Sequence, residues 1–271
     1  MRSRVHAICA SAALGIGALG ASAASAVTVD GVTWDSTQPT DLTIQALNLR
    51  ENVVQNEGDI LNGAGLVGSI NEQTNFCADC QLTFRFDDYE LNRIGPSVDD
   101  ERRLAFTGGT IDFYVDNTSS FQAGDPSTWA QGDLWLSLEG VNHTRGSFFG
   151  GEEPGTLFTL LQGTLLEPQD ESSGFGLLNV TGGPAADVIA RNATDRVDVD
   201  GNPADLALNS EFFFNQDLAD SEYPITGTAS IRGETQVPEP GSLALLGLGL
   251  VTLGYVGYRR QNGVRVRMAA A

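Results

Sequence analysis

One candidate metal loop in the chain is Asp198 to Asp205, reading DVDGNPAD. Asp198, Asp200 and Asn202 alternate, with Asp205 beyond them, and a hard cation such as calcium wants about six to eight oxygens on a tightly turning backbone. The pattern departs from an EF-hand loop. Gly201 comes two residues early, Pro203 stands at the glycine's place, and the twelfth position is Asn209 rather than a glutamate. Asp-Gly-Asn-Pro is equally a good turn between strands, so a calcium loop and a plain turn both stand.

Cys77 and Cys80, in NFCADCQLTFRF, are the other spaced pair. They are the only two cysteines left once Cys9 is set aside with residues 1–26, and in an exported chain an even count makes a disulfide the default. Redox chemistry needs the CxxC at the start of a helix, whereas QLTFRF alternates like a strand. Zinc wants a second ligand pair; reduced thiols or a metal are the alternatives. A bond closing so short a loop adds about 2 kcal/mol by chain entropy. Nucleophilic catalysis finds little support. His143, in VNHTRG, is the one histidine outside the first 26 residues, and no GxSxG accompanies it. With so many carboxylates a glycosidase pair is neither argued for nor against. Trp34, Trp129 and Trp135 invite a sugar-stacking reading, and if Leu134, Leu136 and Leu138 face the core, Trp135 points outward.

The elements that must hold these residues are strands. VTVDGVTW (27–34), DLTIQALNL (41–49), GTIDFYVDN (109–117), GDLWLSLEGV (132–141), GTLFTLLQGTLLE (155–167), GFGLLNVT (174–181), DLALNSEFFF (205–214) and PITGTASIRGET (224–235) alternate or run apolar between Gly, Pro, Asn and Asp. GDILNGAGLVGSI (58–70) reads as a loop or weak strand because of its glycines, and DDYELNRIGPSVDDERR (87–103) as an exposed connection. PAADVIARNA (184–193) is the one plausible short helix. This is the signature of an all-β sandwich, jelly-roll-like or immunoglobulin-like, of about eight to ten strands.

Both ends stand apart from that domain. Arg2 and Arg4, the apolar Ile8 to Leu19 and Ala24-Ser25-Ala26 read as a signal peptide, 1–26, cleaved by signal peptidase after Ala26. The acidic domain is then 27–236. The chain has no lysine, and within the domain nine arginines face 34 carboxylates, a formal net of −25. That charge repels phosphate backbones and excludes nucleic acid as a partner, while suiting solubility and divalent cations.

The other end, 237–260, reads VPEPGSLALLGLGLVTLGYVGYRR: a rigid Pro238-Glu239-Pro240, an apolar run from Ser242 to Tyr258, and Arg259-Arg260. At 17 residues the run is slightly short of a comfortable bilayer span. The positive charge after it holds its end on the cytoplasmic side, making 261–271 a cytoplasmic tail. These residues resemble the PEP-CTERM sorting signal of exopolysaccharide-producing bacteria. The resemblance implies recognition by exosortase near Pro-Glu-Pro, transient anchoring in the inner membrane, and delivery to the outer surface or extracellular matrix. The tail after Arg260 is longer than that signal usually carries.

The sequence therefore predicts a signal helix, an acidic β-sandwich with one short helix, and an apolar C-terminal helix, in an exported surface or matrix protein that is not an enzyme and takes no cofactor. The alternatives are a carbohydrate-binding module, with calcium at Asp198, Asp200, Asn202 and Asp205, or a glycoside hydrolase. Exopolysaccharide is the expected partner.

Overall fold

The computed structural model describes residues 26–36, 42–96, 101–145, 153–162 and 171–236. They form thirteen strands: β1 (Ala26–Val29), β2 (Val32–Asp35), β3 (Leu42–Glu51), β4 (Ile60–Ile70), β5 (Gln81–Ile94), β6 (Glu101–Asp116), β7 (Asp133–Gly140), β8 (His143–Thr144), β9 (Pro154–Gly155), β10 (Leu157–Gln162), β11 (Glu171–Gly182), β12 (Leu206–Phe214) and β13 (Ile225–Gly233). The expected signal helix and apolar helix lie outside the described residues. Among those described, no helix is long and apolar enough to cross a membrane.

The expected sandwich is not what forms. β3, β4, β5 and β6 pair in sequence order, as do β11, β12 and β13, and β13 returns to β3, Ile225 opposite Glu51 and Gly233 opposite Leu42. The remaining gap, between β6 and β11, is filled twice. β7 lies against residues 110–115 of β6 and 178–182 of β11, while β10 lies against 101–106 of β6 and 172–176 of β11. Two segments laid end to end thus make one strand position, and an antiparallel barrel of eight positions closes. Where they meet, Val141 N donates to Leu177 O and Thr156 N to Phe106 O, each at 2.8 Å. A sandwich leaves edges; here the strands of the ring are paired on both sides.

Several segments become strand against their local reading. The polar stretch after Phe86 continues β5 to Ile94, because Tyr89 and Leu91 still fall on the inner face. VTVDGVTW is a hairpin rather than one strand, since Asp30 (φ 49°) and Gly31 (φ 86°) make the left-handed pair of a two-residue turn. The expected helix at 184–193 is only a 3₁₀ turn, Pro184–Val188, after which Ile189 is extended.

The glycine-rich 58–70 holds an eleven-residue strand, β4, and its glycines have a packing role. A Cβ on Gly65 would lie 2.4 Å from Phe84 Cζ, and one on Gly63 2.5 Å from Phe86 Cζ. The rings of β5 thus lie over bare backbone of β4, which lets two phenylalanines share a narrow lumen.

Leu42, Ile44, Leu82, Leu91, Phe106, Phe113 and Leu178 are among the buried core. On β3, Leu42, Ile44 and Ala46 are buried while Thr43 and Gln45 between them are partly exposed. An apolar interior under a polar exterior is the inverse of a membrane-spanning barrel. One end is plugged by the β1–β2 hairpin. Its Trp34 meets Trp135 edge-on at 5.9 Å and donates from Nε1 to Thr235 Oγ1 at 3.0 Å. Trp135 Nε1 donates to Val29 O at 3.2 Å.

Gly65→Ala should lower the unfolding free energy by about 1–3 kcal/mol, because the methyl overpacks the Phe84 ring. Gly182→Ala, whose Cβ would meet nothing nearer than 4.0 Å, should stay within about 0.5 kcal/mol. Denaturant midpoints of the two variants check the difference.

Candidate functional site

The structure disperses most of the residues singled out by their chemistry. Asp198 closes a turn: its Oδ1 accepts from Asp200 N and Asn202 N, each at 2.8 Å, and its Oδ2 from Asn202 Nδ2 at 3.1 Å. The Asn202 backbone amide holds this exposed carboxyl below the usual carboxylate range. Asp205 turns the other way. It is buried, accepting from Val180 N (2.9 Å) and Asn192 N (2.6 Å) and pairing with Arg191 (3.2 Å). A cation drawing on both carboxylates would have to displace these donors. Among the described residues no three His, Cys, Asp or Glu side chains converge on a cation-sized point.

Cys77 and Cys80 are paired as a disulfide, with Cα atoms 5.4 Å apart, in the connection between β4 and β5. Val32 bridges to Cys77, so the loop braces the plug hairpin. His143 is buried, its Nδ1 3.0 Å from Val141 O, edge-on to Phe158 at 4.9 Å and Phe175 at 5.4 Å. Burial holds its pKa below the ordinary histidine value. Arg145 and Arg196 both lie over the Phe175 ring, at 4.8 and 4.6 Å.

The outward placement of Trp135 is corrected. β7 carries a bulge against β6, with Phe113 opposite Leu136 and Tyr114 opposite Leu134, which turns Trp135 inward and leaves Leu134 40% exposed. Trp34 and Trp135 are both 0% exposed, and Trp129 is buried against Tyr223 at 4.5 Å. None of the three is a sugar platform.

Two sites emerge instead. The first is a broad open groove of about 1140 Å³ on the outer face of β10 to β13 and β3, walled by Phe121 and Ala123. Along β12, Glu211 stands opposite Ser173 of β11 and Thr228 of β13, and Phe213 opposite Thr226, which in turn faces Arg50 of β3. Phe213 is 44% exposed and Leu47 50%. Arg50 Nε donates to Tyr223 O at 3.1 Å. The Thr226 hydroxyl, also lining the groove, is buried with no hydrogen-bond partner among the described residues. An exposed ring set among a guanidinium, a carboxylate, carboxamides and hydroxyls is chemistry for a hydroxylated ligand.

The second lies inside. Glu51, at the end of β3, lines an interior cavity of about 50 Å³ and an adjoining one of about 30 Å³. Its carboxyl is buried with no hydrogen bond or ion pair among the described residues, and desolvation pushes its pKa up to about 8. The Tyr89 hydroxyl, in the larger cavity, is likewise buried without a partner, and burial raises its pKa.

Glu51 escapes a simple alternation reading. Counting by twos from Leu42 sends Arg50 inward, but the bulge at Leu47–Asn48, with Asn48 at φ 59°, shifts the phase so that Leu49 and Glu51 face the core. Asn48 was the available signal, since asparagine tolerates the left-handed region.

A family model for the PEP-CTERM protein-sorting motif matches residues 236–261. The chain therefore carries this motif, which encloses Pro238, Glu239, Pro240, Arg259 and Arg260, and it is an exported protein sorted by exosortase. Neither curated proteins nor solved structures yield a match.

Glu51 makes a pH prediction. Its carboxyl titrates near the ordinary 4.5 when unfolded and near 8 when folded. Its stabilising contribution is thus complete below about pH 4.5 and lost as pH rises towards 8, by about 5 kcal/mol in total. Glu51→Gln should remove this decline. Subtracting its stability from that of the wild type at each pH isolates the effect from the other carboxylates.

Proposed function

We propose that this chain is a non-catalytic protein of the outer surface or extracellular matrix, whose acidic barrel is held among exopolysaccharide after release from transient inner-membrane anchorage. The observation that carries this reading is the sorting motif at residues 236–261, beginning where the described domain ends. Gln236 N still donates to Val188 O at 2.7 Å, so the motif leaves directly from packed structure. Nine arginines against 34 carboxylates over residues 27–236 suit a protein that stays hydrated in a polymer gel.

Carbohydrate is the ligand class the outer groove supports. Phe213 offers a stacking face, with Glu211, Arg50, Asn48 and Asn215 placed for hydroxyl groups. Glu211 is the single carboxylate among the described groove residues, whereas glycoside hydrolysis uses two. Binding without turnover is the reading this favours.

Replacing Pro238 and Glu239 by alanine should leave the protein in the membrane fraction while the wild type appears at the cell surface. Mass spectrometry of surface-released protein should place its carboxyl end near Pro240; a released chain still ending at Ala271 contradicts exosortase processing. Phe213→Ala should weaken binding to the producing cell's exopolysaccharide about tenfold. Unchanged retention of this variant on the immobilised polymer removes the groove from the reading.

A further inference from the structure

We propose that the barrel interior is a binding site for a small alkylammonium ion, with Glu51 taking the charge and Phe84, Phe86, Tyr89 and Phe113 boxing the alkyl group. These four rings and the Glu51 carboxyl line one cavity whose other walls are almost wholly aliphatic. Phe84 stacks on Phe86 at 6.4 Å between centroids and tilts against Phe113 at 5.7 Å. Aromatic faces carry negative potential and attract cations most strongly where water is excluded. A carboxyl buried without a partner lacks the hydrogen bonds that normally offset its desolvation. Rings and carboxyl thus call for the same occupant, a cation with an apolar surface. The described lining residues of both cavities include no arginine or histidine, so nothing there recommends an anion.

Size limits the ligand. An apolar cavity of about 150 Å³ takes benzene. About 50 Å³, with about 30 Å³ adjoining, therefore suits roughly two to four heavy atoms, the scale of ethylammonium. Sugars are far too large, which separates this site from the outer groove. The smaller cavity extends past the end of β3, where Asn52, Val53 and Val54 line it.

The protons balance simply. A neutral amine accepts the Glu51 carboxyl proton and becomes the ammonium partner of the carboxylate; an ammonium ion enters as the carboxyl releases its proton to water. Binding of the cation therefore competes with protonation of Glu51. Tyr89 is the only other titratable group among the described residues lining either cavity, and burial keeps it neutral throughout the working range.

The test is thermal unfolding of the purified full chain in ethylammonium chloride, with sodium chloride at equal ionic strength and ethanol as the neutral analogue. Ethylammonium should raise Tm saturably while sodium and ethanol do not. Its affinity should increase about tenfold per pH unit from pH 6 and level off near 8, where Glu51 ionises. Glu51→Gln should weaken it about tenfold or more. Phe84→Leu, which keeps the carboxyl, should weaken it about threefold and so carries the test should the Gln variant unfold. The proposal is overturned if ethylammonium does no more than sodium, if ethanol matches it, or if its affinity is indifferent to pH between 6 and 8.

Discussion

A sheet closes only when its last strand reaches its first in register, and here that requirement falls on the seam between β6 and β11, which no single strand spans. β7 covers one half and β10 the other, and the short strands β8 and β9 pair with each other in the connection between them. The amides at the junction are satisfied by Leu177 O and Phe106 O, so the excursion costs the ladder little. His143 and Phe158 pack at its base, with Phe175 from β11. The aromatic cluster outside the wall thus seals the place where the wall is spliced.

Closure also fixes the lumen. An eight-stranded barrel is just wide enough for side chains to fill, so large rings are admitted only where something small stands opposite. Gly63 and Gly65 of β4 give that space to Phe86 and Phe84. Gly109 does the same for Tyr89, whose ring atoms would lie as near as 2.2 Å to a Cβ there. The interior is consequently rich in rings, a costly setting for Glu51, the one carboxyl among the described residues that line its cavities.

The sequence made the chemical class of the fold legible but not its topology. Alternation located β6, β7, β12 and β13, because each keeps one apolar face for most of its length. It failed at β4, where glycines that signal turns in isolation are demanded by rings on the neighbouring strand β5. It failed again at Trp135 and Glu51, because bulges reverse which face a residue occupies and are specified by cross-strand register, not by the residues themselves. Sandwich and barrel have the same local alternation; what separates them is the pairing of β13 with β3, a contact across more than 170 residues. The sorting motif was legible in full because it is read as a linear sequence and needs no fold.

The chain enters and leaves the barrel at one end. β1 begins at Ala26 in the plug hairpin, and Trp34 of that hairpin is hydrogen-bonded to Thr235, two residues before 237. Leu42 and Gly233 are paired at this end, Glu51 and Ile225 at the other. A pull on the chain at Gln236 therefore acts first on the plug hairpin, through the hydrogen bond of Trp34 to Thr235. The end of the barrel beside Glu51 lies at the far end of β3 from that pull.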